Sequence, residues 1–294
     1  MLLPAPTGEK GLTNIRSNPI PQIIDCHQHA GWLGHDVHGL IRYLNSVGVA
    51  QCWLLSWEAV DGGLDFSYEH LSIDNVLAAW EQYPDRIIPF AGVDCRRDNA
   101  EQMLRECKAR GARGCGEIKL RVPYDDPAAI RLFRLAGSLG MPVTLHLQYS
   151  STRRPDWWYG GRIGSLERAV AACPETNFLG HAQSWWAHIS GDADPEHLEI
   201  AYPKGPVTPG GEVIRLLETY PNLYADLSAG SGLNALTRDP EFGRKFLTDF
   251  ADKLLYGVDN YDDNLIGLLN KLNLPTDVYA KITSGNARKL LGEG

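Results

Sequence analysis

From residue 22 onward, short apolar or β-branched runs alternate with longer stretches whose apolar positions recur every three or four residues. The runs predict eight strands: Gln22–His27, Val49–Ser56, Ile87–Asp94, Gly114–Leu120, Pro142–Gln148, Asn177–His181, Leu223–Ser228 and Lys253–Asp259. The wider spacing predicts amphipathic helices between them, among them Asp74–Tyr83, Asn99–Arg110, Asp126–Leu139, Ser165–Ala172, Gly211–Tyr220 and Asp239–Ala251. Asp126-Pro127 supplies an N-cap and a first-turn proline, and Gly140 closes that helix. Strands that alternate with helices read as parallel β/α units of the α/β class. A repeat of about 30 residues fits a closed (β/α)8 TIM barrel, although a doubly wound open sheet gives the same alternation.

Residues 22–294 are therefore expected to form one barrel domain, preceded by an extended arm over residues 1–21 rich in Pro and Gly. Two connections, 149–164 and 182–210, are too long for simple linkers and follow strands directly. In a barrel they would lie on the face where strand C-termini emerge, over an active site. The first carries Arg153, Arg154, Trp157 and Trp158; the second carries Trp185, Trp186 and His188.

Because a strand points alternate side chains to opposite faces, parity sorts the polar residues. Asp25, His27 and His29 fall on one face of the first strand, opposed by Ile24, Cys26 and Gln28. Glu117, Lys119 and Arg121 share a face in the fourth; Thr144, His146 and Gln148 do so in the fifth. His181 ends the sixth strand, Tyr224, Asp226 and Ser228 line one face of the seventh, and Asp259 ends the eighth. Such groups would converge at the barrel mouth, where burial costs several kcal/mol unless they are paired or metal-bound (~2–7 kcal/mol for a polar group). Each residue alone has a plainer reading: His146 as a hydrogen-bonded core residue, Asp259 as a helix cap, Glu117 and Lys119 as an ion pair. His-x-His is more specific, since two imidazoles on one face pack poorly without a shared partner. Histidines with one or two carboxylates suit Zn²⁺, and also Mn²⁺ or Fe²⁺.

Composition narrows the class. The 294-residue chain is 44% hydrophobic, enough for a large core, and its net charge of -8 with no basic run argues against nucleic acid or anionic membranes. No apolar segment has the length of a membrane span, and the N-terminus lacks a signal-peptide pattern. Six scattered cysteines with no C-x-x-C pair read as reduced thiols, so a soluble, cytoplasmic protein is expected. The expected partner is a small-molecule substrate; a homo-oligomer stays open.

The motifs "IIDCHQHA", "DPAAIRLFRLAGSLGMPVTLHLQ", "FLGHAQ", "LLYGVDN" and "ITSGNARKLLG" together resemble the amidohydrolase superfamily. They resemble in particular its amidohydrolase-related branch, which holds hydrolases of cyclic esters and decarboxylases of the aminocarboxymuconate semialdehyde type. The resemblance spans residues 22 to 292. It implies a metal-dependent hydrolase barrel in which His27, His29, His146 and Asp259 bind a divalent metal, most naturally zinc. His181 would be a second-metal ligand or a catalytic group. From strand 4, Glu117 or a carboxylated Lys119 would bridge two metals, and Glu117 is favoured because it needs no modification.

Under that resemblance, metal-activated water attacks an ester, lactone or amide carbonyl, with Asp259 as general base and acid and His181 beside it. Asp25 would orient a ligand imidazole through its other nitrogen. The alternative is nonoxidative decarboxylation of an aromatic or unsaturated acid. Arg121, Arg153, Arg154 or Lys204 would clamp a carboxylate in either chemistry, and the Trp pairs Trp157-Trp158 and Trp185-Trp186 would wall an aromatic pocket or else serve loop packing or a subunit contact.

Overall fold

The computed structural model describes residues 22–58 and 71–293, so the expected arm over residues 1–21 lies outside the described residues. Eight parallel strands follow in order: β1 (Ile23–Gln28), β2 (Val49–Leu55), β3 (Ile87–Phe90), β4 (Cys115–Ile118), β5 (Val143–His146), β6 (Phe178–His181), β7 (Leu223–Asp226) and β8 (Leu254–Leu255). Between them run α1 (Val37–Val47), α2 (Ile73–Gln82), α3 (Ala100–Ala109), α4 (Pro127–Ser138) and α5 (Ile163–Ala172). The pair α6 (Gln183–Ala187) and α7 (Glu212–Thr219) precedes β7, and α8 (Ala229–Thr237) and α9 (Pro240–Asp249) precede β8. The described chain ends with α10 (Asn264–Lys271), α11 (Thr276–Ala280), a π-helical turn at Lys281–Gly285 and α12 (Asn286–Leu290). None of the described helices is long and apolar enough to cross a membrane, and all six cysteines are free and buried.

The strands form two hydrogen-bonded sets, β1-β2-β3 and β4-β5-β6-β7-β8. Backbone bonds join both seams. Gly116 N–H donates to Ala91 O and Ala91 N–H to Gly114 O, while Cys26 N–H donates to Tyr256 O and Asp259 N–H to His27 O. The open-sheet alternative is thereby set aside, and the strands close into a TIM barrel.

Outward-facing Cys52, Leu54, Val143, Leu145, Leu223 and Ala225 pack on the helices in the larger core. The smaller core fills the barrel axis with Ile24, Cys26, Trp53, Leu55, Phe90, Leu179 and Tyr224, and with Leu290 and Leu291 at the foot. Interdigitated side chains of this kind make the barrel interior solid.

One expectation from parity is corrected here. Ile24 and Cys26 belong to the axial core, whereas Asp25 turns away from it to accept a hydrogen bond from Val258 N–H. The β1–β2 register is irregular between Asp25 and Gln28, and the Asp25 carboxylate accepts the His27 N–H two residues on. That local bulge turns His27 inward as well, as bulges near barrel rims commonly re-aim a side chain.

Candidate metal centre

His27, His29, Glu117, His146 and His181 are buried and Asp259 is partly exposed, and their functional atoms meet above the axial core. His27 Nε2 and His29 Nε2 stand 3.2 Å apart. Asp259 Oδ1 lies 3.6 Å from the first and 3.5 Å from the second. Glu117 reaches the same pair with Oε2 3.5 Å from His29 Nε2 and Oε1 4.0 Å from His27 Nε2. The same Oε1 is 2.5 Å from His146 Nδ1 and 3.8 Å from His181 Nε2. Asp259 Oδ2 is 3.6 Å from His181 Nε2.

Neighbours decide which nitrogens carry protons. His29 Nδ1 faces the Leu55 carbonyl at 2.8 Å, an oxygen that can only accept, so Nδ1 donates. His27 Nδ1 lies 2.6 Å from Asp226 Oδ2 and donates likewise. In the neutral rings both Nε2 atoms therefore present bare lone pairs to each other and to Asp259 Oδ1, which has no hydrogen-bond partner among the described residues. Lone pairs facing lone pairs in a buried space repel unless a cation sits among them.

The electrostatics agree. Burial raises the Asp259 carboxyl above its ordinary range, although His27 and His29 pull it down. Burial works against a charged His27, yet Asp259 and Asp226 raise its imidazole to about 10, a proton taking the place of a cation. Burial and the adjacent His27 push His181 well below its usual value. Glu117 is held well below the carboxylate range: burial opposes this most strongly, but His146, His29 and Lys119 together outweigh it.

Nitrogen and oxygen ligands lie ~2.0–2.2 Å from zinc, which sets donors on one ion roughly 3.0–3.6 Å apart. The spacings among His27, His29 and Asp259 fall in that interval, and His27, Glu117 and His181 form a second compact group. The donor set thus fits a divalent cation. Asp259 adopts a left-handed φ of 59°, and its carbonyl accepts Trp32 Nε1, which holds the carboxylate over the histidines.

The remaining predicted residues are placed differently. Lys119 is buried with its Nζ over the rings of Trp57 at 5.0 Å and Tyr159 at 5.4 Å, while Glu117 is the strand-4 group among the histidines. Asp25 does not orient an imidazole; among the described residues it accepts the backbone N–H groups of His27 and Val258 and the Gln28 side-chain amide. The residue that touches the ring nitrogen is Asp226, named in the β7 pattern but given no role there. Its spacing from Ser228 in an alternating strand was the available signal, and nothing local says which carboxylate faces a histidine.

Trp157 is half-buried beneath the Arg154 guanidinium, 4.0 Å from its ring, and both line a cavity of about 200 Å³ between the two long loops. Gln148 links that cavity to the histidines, with Oε1 3.1 Å from His146 Nε2. Arg153 is exposed, and Arg121 buries an Nε that has no hydrogen-bond partner among the described residues. Trp185 is fully buried in the outer core against Gly180, so it walls no pocket.

The family model described as Amidohydrolase matches residues 24–292. The chain belongs to the amidohydrolase family. Among solved structures, an uncharacterized TIM-barrel protein from Bordetella bronchiseptica aligns with a TM-score of 0.66 at 17% identity, covering 92% of this chain and 98% of its own. A probable 2-pyrone-4,6-dicarboxylic acid hydrolase from Acinetobacter baumannii, with citric acid bound, gives 0.59 at 18% identity over 92% and 99% of the two chains. A dihydroxybenzoic acid decarboxylase from Polaromonas, with manganese and 2-nitroresorcinol bound, gives 0.59 at 16% over 92% and 96%. No curated protein matches the chain. This amidohydrolase barrel is therefore similar in fold to proteins described by two different reactions.

Proposed function

We propose that this amidohydrolase is a metal-dependent hydrolase whose site holds two divalent cations, most naturally zinc, and that it cleaves an ester, lactone or amide of a small organic molecule. The observation that carries this reading is Glu117. Its carboxylate reaches four imidazoles, with Oε2 3.5 Å from His29 and Oε1 within 4.0 Å of His27, His146 and His181. His27, His29 and Asp259 would hold one cation, His146 and His181 the other, and Glu117 both. Bound cations supply Lewis acidity to a carbonyl oxygen and acidify water.

The chain's own groups do the rest. Asp259 Oδ2, the oxygen left free when Oδ1 faces His27 and His29, lies 3.6 Å from His181 Nε2; it takes a proton from the attacking water and gives it to the leaving group. Gln148 orients substrate that enters through the cavity beside Arg154 and Trp157. Manganese is the second choice of ion.

A second reading, nonoxidative decarboxylation at one cation, is favoured by the 2.5 Å contact between His146 and Glu117, a hydrogen bond that would remove both from the ligand set. His27, His29 and Asp259 would then bind the ion and His181 would move protons. Metal analysis separates the two. Two equivalents per chain, falling to one or fewer in Glu117→Ala, support the hydrolase. One equivalent unchanged by Glu117→Ala supports the decarboxylase. Less than about a tenth of an equivalent after purification with added zinc overturns both readings. Lactones, esters and amides assayed against aromatic acids, with carbon dioxide detection, then identify the chemistry.

A further inference from the structure

Asp226 is fully buried on the inner face of β7, outside the set of predicted ligands. Its Oδ2 is hydrogen-bonded to His27 Nδ1 at 2.6 Å and stands at ion-pair distance, 3.4 Å, from His181 Nδ1, so one carboxylate oxygen faces two imidazoles from different strands. Oδ1 accepts the Ser228 N–H at 2.9 Å, which fixes the carboxylate plane. The Ser228 hydroxyl stands 2.9 Å from the same His181 Nδ1. The two rings are held side by side, centroids 4.3 Å apart.

The chain also keeps space for this carboxylate. A Cβ on Gly257, just past β8, would fall 2.6 Å from Asp226 Oδ1, closer than such contacts occur. The glycine in "YGVD" thereby acquires a reason that the sequence pattern alone does not supply.

We propose that Asp226 is a positioning residue that couples the two halves of the cation site, by setting His27 and His181 together with Nδ1 protonated and Nε2 free to bind. The inference rests on the reading that the histidines bind divalent metal. Its content is that one side chain outside the ligand set governs both His27, which stands in both compact donor groups, and His181, which stands in the second. An imidazole with a carboxylate on its far nitrogen is oriented in the ligating tautomer and is a stronger donor. With Asp226 neutralised, both histidines lose that bias at once, whereas an ordinary packing residue would weaken the fold and leave ligation unchanged.

The test uses the full chain, loaded with zinc or cobalt(II). Asp226→Asn keeps the shape and removes the charge; Gly257→Ala keeps the charge and displaces it; Ser228→Ala removes only the His181 contact. Zinc affinity, read by chelator competition, is expected to fall about 10–100-fold in Asp226→Asn and in the same direction in Gly257→Ala. Ser228→Ala is expected to have the smaller effect. The visible d–d spectrum of the cobalt form is expected to change in Asp226→Asn, a signature that loss of stability alone does not produce. Far-ultraviolet circular dichroism of each metal-free variant identifies the folded ones, and affinities are compared among those. Wild-type affinity and an unchanged cobalt spectrum in folded Asp226→Asn overturn the coupling. Absence of metal binding in the wild type overturns instead the reading on which it rests.

Discussion

At the scale of single residues, the carboxylates of this barrel divide by what they accept. Asp25 takes three N–H groups: backbone donors of His27 and Val258 at 3.0 and 3.1 Å, and Gln28 Nε2 at 2.8 Å. It joins β1 to the segment after β8, while burial pushes its carboxyl up to about 7 despite those donors. Asp25→Ala leaves two buried backbone N–H groups unmet, at about 1–3 kcal/mol each. Asp25→Asn retains an oxygen for them, and Gln28 Oε1, which has no hydrogen-bond partner among the described residues, can turn to meet the new amide. Urea denaturation of the metal-free protein is therefore expected to show the asparagine variant losing less than half of what alanine loses; equal losses would refute the assignment. The sequence made His27, His29, Glu117, His146, His181 and Asp259 visible because each is polar where a strand should be apolar. It did not separate Asp25 from Asp226, because which carboxylate meets an imidazole depends on strands about 200 residues apart, a span read from His27 and Asp226 themselves.

At the scale of elements, alternation gave the strands their inner and outer faces except where the register is irregular, as in β1. The other departure is α6. A Trp-Trp pair in a long connection suggested a pocket wall, but the segment is helical and packs inward: Trp185 lies against Gly180 of β6, and Trp186 Nε1 donates to the Asp226 carbonyl at 3.0 Å. Gly180 makes this possible, since a Cβ there would fall 2.5 Å from the Trp185 ring. Helical period within five residues is too short to read from sequence. Trp185→Ala is expected to cost about 3–5 kcal/mol as a core truncation. Trp157→Ala, at the half-buried wall of the loop cavity, is expected to leave the urea midpoint near wild type and to act on substrate KM. The reverse pattern, with stability unmoved by Trp185→Ala and KM raised, would return Trp185 to the pocket.

At the scale of the whole molecule, the cluster lies where the two strand sets meet. His27 and His29 come from β1 and its end, Glu117, His146 and His181 from β4, β5 and β6, and Asp259 from the segment after β8. A cation held by that set connects β1 to the other strand set across both seams, so its binding energy becomes folding energy wherever unfolding separates the ligands. The buried carboxylates Glu117 and Asp226 and the partly exposed Asp259 also repel one another when no cation balances them. Free zinc at a hundredfold excess over its dissociation constant is expected to stabilise the fold by about 2.7 kcal/mol. For a domain of this size that corresponds to a rise in melting temperature of roughly 4–5 °C over the chelator-treated protein. His29→Ala removes a ligand from one side of the β8–β1 seam and is expected to abolish most of that rise, whereas an exposed substitution such as Arg153→Ala should retain it. Superimposable melting curves with zinc and with chelator would mean that the converging donors bind no ion strongly enough to link the barrel's halves, and the two-cation reading would fall with them.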